Sequence, residues 1–138
     1  MSDPYFDTGV CITRLCYDYQ VHGNLVIGFD FDDTIFDYHK KGHEYTLMVA
    51  LLKECRHLGF TMCMSTNERD PEKMIFKKEY CDHILGFYPD YTNESPLLQG
   101  GGKPFYSIVL DDRAGLGQAY EILHKTVALI KQNKEEKA

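Results

Sequence analysis

Three short apolar runs punctuate the chain: LVIGFDF (25–31), FTMCMS (60–65) and FYSIVL (105–110). None alternates apolar with polar residues, which is the pattern of strands buried on both faces. Such strands need cover, and the stretches between them have helical period. Residues 10–22 carry Ile12, Leu15, Cys16 and Tyr19 at helical spacing and close on Gly23. Residues 43–58 carry Tyr45, Met48, Leu52 and Cys55 on one stripe, widened by Leu51 and Leu58, with Gly59 as the stop. Asp70-Pro71 is an N-cap followed by proline at the first helical position, predicting a helix over 71–83. A last helix over 114–132 sets Leu116, Tyr120, Leu123, Val127 and Ile130 on one side, and the charged tail is expected to fray over 133–138. A short strand is expected near Phe87-Tyr88, and the Pro-, Gly-, Asn- and Ser-rich stretch 89–104 reads as loop. Strands alternating with helices predict an α/β fold, a three-layer Rossmann-like parallel sheet with helices on both faces.

Length fits that reading, since 138 residues make one domain, 1–138, with residues 1–23 as an N-terminal helical extension. No apolar run reaches the ~18 residues that span a bilayer. The N-terminus, MSDPYFDTGV, has neither the basic nor the apolar region of a secretion signal. Five cysteines, an odd number without a CxxC spacing, fit neither a disulfide framework nor a zinc site, and Cys16, Cys55 and Cys63 are expected as small core residues. A reducing cytoplasm is the expected compartment. A net charge of −6 argues against a surface that tracks a phosphate backbone, while a nucleic-acid end or a free nucleotide stays open as a partner.

In open parallel sheets ligands bind outside the carboxyl ends of the strands, and the acids of this chain collect there. Asp30, Asp32 and Asp33 follow the first run, and Asp111-Asp112 follow the third. Acids at strand ends also serve as turn residues. Three in four positions behind one buried strand, with a second acid pair behind another, are much harder to explain as turns, because gathered carboxylates repel unless a cation compensates. If the two strands are neighbours, the acids form a hard-oxygen site suited to Mg²⁺ with a substrate phosphate. Ser65, Thr66 and Asn67 end the second run, where a hydroxyl and backbone N–H groups could hold a phosphate oxygen, and Lys103 precedes the third.

DFDDT matches DxDxT, and the chain thereby resembles the haloacid dehalogenase (HAD) superfamily of phosphotransferases. Thr66-Asn67 after a strand is similar to its second motif, Lys103 to its third and VLDDR to its fourth, over about residues 24–125. YTNESP (91–96) and KPFYSIVLDDRAGL also look like small HAD proteins of bacterial and phage genomes. The resemblance implies a phosphatase with Asp30 as nucleophile and Asp32 as the acid that protonates the leaving oxygen, then as the base that activates water. It implies Mg²⁺ held by the Asp30 carboxylate, the Asp32 backbone carbonyl and Asp111, with Asp112 in support. Thr66, Asn67 and Lys103 would bind phosphate. Thr66 stands seven positions after Gly59, the usual register of the superfamily, with Ser65 as the alternative; Lys103 is only eight positions before Asp111, so Lys73, Lys77 or Lys78 could take its place.

Between Thr34 and the second strand, and between Thr66 and Lys103, there is no room for a folded cap of the kind seen in relatives that act on small metabolites. The site is therefore expected to be open, closed at most by residues 35–42, the loop 89–102 or a partner subunit, which leaves a homo-oligomer open. Asp37, Tyr38, His39 and His43 could contact a leaving group, but exposed loop polarity is the simpler account, and Asn93 and Glu94 could reach the site from the third strand. His57, His83 and His124 read as surface residues. The expected substrate is a phosphomonoester, a nucleotide or another small molecule; the alternatives are a macromolecular phosphate, or a non-catalytic binding or regulatory module of the same fold. A phosphoacceptor receiver domain fits poorly, because no Asp ends FTMCMS and no later strand carries a lysine.

Overall fold

A computed structural model of the chain describes residues 3–96 and 104–137. Four strands, β1 (Val26–Asp30), β2 (Thr61–Ser65), β3 (Tyr91–Thr92) and β4 (Ile108–Leu110), form one parallel sheet in the order β3-β2-β1-β4. Among the described residues four α-helices flank it: α1 (Thr8–His22), α2 (Thr46–His57), α3 (Pro71–Leu85) and α4 (Leu116–Lys137), in a Rossmann-like α/β arrangement. β1 runs between β2 and β4, with Asp30 opposite Ser65 and Phe29 opposite Leu110. Parallel pairing turns all the carboxyl ends the same way, so the residues that follow β1 and β4 meet at one edge.

The helices pack in a row, α3 on α2, α2 on α4 and α4 on α1. Beneath them lie Ile27, Phe29, Met62, Met64 and Leu110, all in one buried cluster with Leu15, Leu52, Cys81 and Leu123 from the four helices. The opposite parity of the sheet, Val26, Gly28 and Cys63, stands outside that cluster, and the Tyr106 ring lies against Gly28, where an added Cβ would come within 2.8 Å of it. The second face is thus met by the extended segment before β4. The expectation of helices on both faces is corrected to helices on one face among the described residues. The cause is the link from β3 to β4, which carries no helix within them.

Local chemistry sets the element ends. The Asp7 carboxylate caps α1 through Gly9 N at 2.8 Å, and Gly23 closes it in the left-handed conformation, φ 69°. Asp70 caps α3 as expected, accepting from Glu72 N. α2 begins at Thr46 instead of 43, because Tyr45 takes a left-handed φ of 54° with its hydroxyl 3.4 Å from Asp33. β4 is shorter than FYSIVL, since the Ser107 hydroxyl takes the Val26 N–H (2.9 Å) that a ladder carbonyl would otherwise accept. The strand expected at Phe87-Tyr88 forms instead at Tyr91–Thr92, where Asp90 N and Asn93 N reach Met62 O and Met64 O at 2.8 Å each. Phe87 is buried under the Arg56 guanidinium, 4.7 Å from its ring centroid. α4 extends beyond the expected 132, to Lys137, and Lys131 ties it to α2 through Glu54 at 3.0 Å.

Cys55 and Cys63 are buried as expected and Cys16 is half-buried; desolvation pushes the thiols of Cys55 and Cys81 up to about 12. Among the described residues no helix is long and apolar enough to cross a membrane.

Candidate active site

Asp30 closes β1 and Asp111 follows β4, and the adjacency of the two strands brings their side chains together. Carboxylate oxygens of Asp30, Asp111 and Asp112 all lie within 4.8 Å of one another. Thr34, fully buried, ties the two loops: its hydroxyl donates to Asp30 Oδ2 at 3.4 Å and accepts from Asp112 N at 3.2 Å. Desolvation first, then the hydrogen-bonded Asp112 carboxyl and the Asp111 charge, push the Asp30 carboxyl up to about 7. The three carboxylates offer hard oxygen donors, and their repulsion is what a small divalent cation would relieve.

Asp32 points elsewhere. Residues 31–36 wrap into a tight loop in which the N–H groups of Thr34, Ile35 and Phe36 all reach Phe31 O, at 3.3, 3.1 and 3.1 Å, and Asp33 adopts φ 60°. That loop sets the Asp32 carboxylate 3.3 Å from Lys77 Nζ. Lys77, only 7% exposed, also donates to Thr66 Oγ1 at 2.8 Å, lies 3.6 Å from Glu68 Oε1 and stands over the Phe31 ring at 5.2 Å. A buried ammonium so surrounded is held by charge, hydroxyl and aromatic face together. Thr66 is fixed in turn from β3, where Asn93 Oδ1 accepts Thr66 N at 2.8 Å.

The structure thus brings together Asp30, Asp111 and Asp112 in one group, and Asp32 and Thr66 around Lys77 in another. Asn67 lies exposed beside Thr66, and the Thr66 hydroxyl meets Lys77. Lys103 falls outside the described residues. Of the alternative lysines, Lys77 is the buried one; Lys73 is exposed and Lys78 half-buried. A signal for it was present: Lys77 shares a stripe with Cys81 and Leu85, and these three are the buried residues of α3. A lysine on an apolar stripe is buried only where it finds partners. Thr34 stood inside the DFDDT motif without a role of its own, and Asn93 emerges as the support of Thr66.

In the loop after the acids, Asp37 accepts from Lys41 N (3.1 Å) and Gly42 N (2.7 Å) and so shapes the turn. His39 Nδ1 lies 2.8 Å from Asp33 Oδ2, with Tyr45 on the other oxygen. His57, His83 and His124 are exposed, as expected. Between Asp30 and Thr46 there is no helix, only turns and the isolated Asp32–Phe36 bridge.

No protein-family model, curated protein or solved structure matches this chain.

Proposed function

We propose that the chain is a magnesium-dependent phosphomonoester hydrolase of the HAD type that works through an aspartyl-phosphate on Asp30. One observation carries this reading: three carboxylates from two neighbouring strand tips converge within 4.8 Å. Their donor set suits Mg²⁺, and the Asp30 carboxyl, pushed up to about 7, behaves as a group that lacks a countercharge. The carboxylates of Asp30 and Asp111 and the Asp32 carbonyl would hold the ion, with Asp112 in support. Bound there, Mg²⁺ supplies the positive charge that lets a carboxylate and a phosphate dianion approach.

The remaining chemistry belongs to side chains. An Asp30 oxygen forms a bond to phosphorus while the bond from phosphorus to the leaving oxygen breaks, and protonated Asp32 gives that oxygen its proton. The Asp32 carboxylate then takes a proton from water, which attacks the aspartyl-phosphate, releases inorganic phosphate and restores Asp30. Lys77 and Thr66, 2.8 Å apart, stand beside Asp32 where they can stabilise the transferring phosphoryl group, and Thr34 fixes Asp30 relative to Asp112. In this reading Lys77 takes the part that the sequence assigned to Lys103.

Hydrolysis of a generic aryl phosphate, with Mg²⁺ and again with EDTA, tests the proposal. Turnover should require the cation and should fall about a thousandfold or more in Asp30→Asn. Turnover that survives in either condition overturns it, and a chain that binds Mg²⁺ without hydrolysing any phosphomonoester is a binding module.

A further inference from the structure

A groove of about 500 Å³ opens beside the proposed acid, lined by the polar groups of Asp32, Thr66 and Lys77 and by the aromatic wall residues Phe36, Tyr38 and Phe76. That volume falls within the range of small-molecule sites, roughly 300–1,000 Å³. Its aromatic wall is open to solvent: Phe76 is 49% exposed and Tyr38 59% exposed. Two of its rings are braced: Phe36 stacks on buried Phe31 at 5.1 Å and meets Phe76 edge-on at 5.7 Å and Tyr80 edge-on at 5.1 Å. Rings anchored in this way lose little conformational entropy when something stacks on them.

We infer that this groove receives the leaving group of the substrate, and that the leaving group is a neutral, planar aromatic body of nucleoside size. The inference rests on the hydrolase reading above and names its substrate class. Three observations carry it. Asp32, the residue that would protonate the leaving oxygen, lines the groove, so a group departing from phosphorus has this groove beside it. The wall offers aromatic faces, to which a flat ring stacks. The groove's acids, Asp32 and Glu68, are matched by Lys73 and Lys77, so it is formally neutral and offers no excess charge to a second phosphate. A bare sugar phosphate would leave the aromatic wall uncovered. The shared chemistry is a base carried near a phosphomonoester, which a free nucleotide or a nucleic-acid end can supply. The chain's net charge of −6 favours the free nucleotide.

Adenosine 5′-monophosphate and ribose 5-phosphate test this directly, because both release a primary alcohol of the same kind and differ in the base. Wild type with Mg²⁺ should show kcat/KM at least about tenfold higher for the nucleotide, in keeping with one stacked base. That preference should shrink to within about twofold of unity in Phe76→Ala and in Tyr38→Ala, two exposed positions where truncation spares the core. A 5′-phosphorylated oligodeoxynucleotide, assayed alongside, assigns the base to a free nucleotide or a strand end. Equal kcat/KM for nucleotide and sugar phosphate, or a preference untouched by both variants, overturns the inference. Adenosine 5′-monophosphate binding to Asp30→Asn, followed by tyrosine fluorescence, separates the two readings. Binding that Phe76→Ala abolishes, with no hydrolysis by wild type, sinks the hydrolase and keeps the groove. Hydrolysis without base preference sinks the groove alone, and neither binding nor hydrolysis sinks both.

Discussion

A carboxyl pushed up to about 7 by burial and by two neighbouring acids dictates how the metal-free chain should respond to pH. The folded Asp30 keeps its proton where the unfolded chain, with an ordinary carboxylate, has released it. Stability should therefore fall as pH rises from about 4 to about 7 and stay low above that. Thermal melts in EDTA should show this fall in wild type and a shallower one in Asp30→Asn, which should be the more stable of the two at pH 8 by about 1–2 kcal/mol. Equal slopes would mean that Asp30 does not carry the repulsion. Lys77 makes a second prediction at this scale. Lys77→Met strips Asp32, Glu68 and Thr66 of their shared cation, so kcat should fall by about a hundredfold or more. The loss should exceed that of Lys103→Met by about tenfold; the reverse order would return the role to Lys103. Helix register is the reason sequence reading left three lysines in contention on α3. Their spacing is visible in the sequence, but which face of α3 turns toward Asp32 depends on how the helix docks against Phe31 and Met64, a long-range matter.

At the level of elements, the strands that bear the site were legible because buried parallel strands are apolar throughout: β1 and β2 lie within LVIGFDF and FTMCMS. The adjacency of β1 and β4 was an assumption that the sheet order bears out. β3 was misplaced because two residues carry no periodicity; hydrogen bonds to Met62 and Met64 across the chain decide it. The sheet face without helices among the described residues was not legible either, since a continuous apolar run asks for cover without saying whether helix or extended chain supplies it. Gly28 marks that face. In Gly28→Ala the new Cβ would stand 2.8 Å from the Tyr106 ring, which must move, at a cost of about 1–3 kcal/mol in urea denaturation. Much of that loss should be absent when the same change is made in a Tyr106→Ala background, because the clash has gone. An unchanged penalty would mean that Gly28 matters for some other reason.

Across the whole molecule, a sheet edge with an acid cluster and an adjoining aromatic groove, and no folded cap among the described residues, amounts to an open site on a rigid base. Mg²⁺ bound only by the folded chain should raise its melting temperature in proportion to the logarithm of ion concentration, an effect that Asp111→Asn should weaken sharply. Catalysis is the sterner demand. The most direct measurement is acid quench of wild type during turnover of a phosphomonoester with Mg²⁺, with the phosphorylated residue located by peptide mass spectrometry. The account predicts a phosphoryl group on Asp30, labile to hydroxylamine and missing from Asp30→Asn. Turnover with no phosphoryl group on the chain, or with the group on another residue, would contradict it.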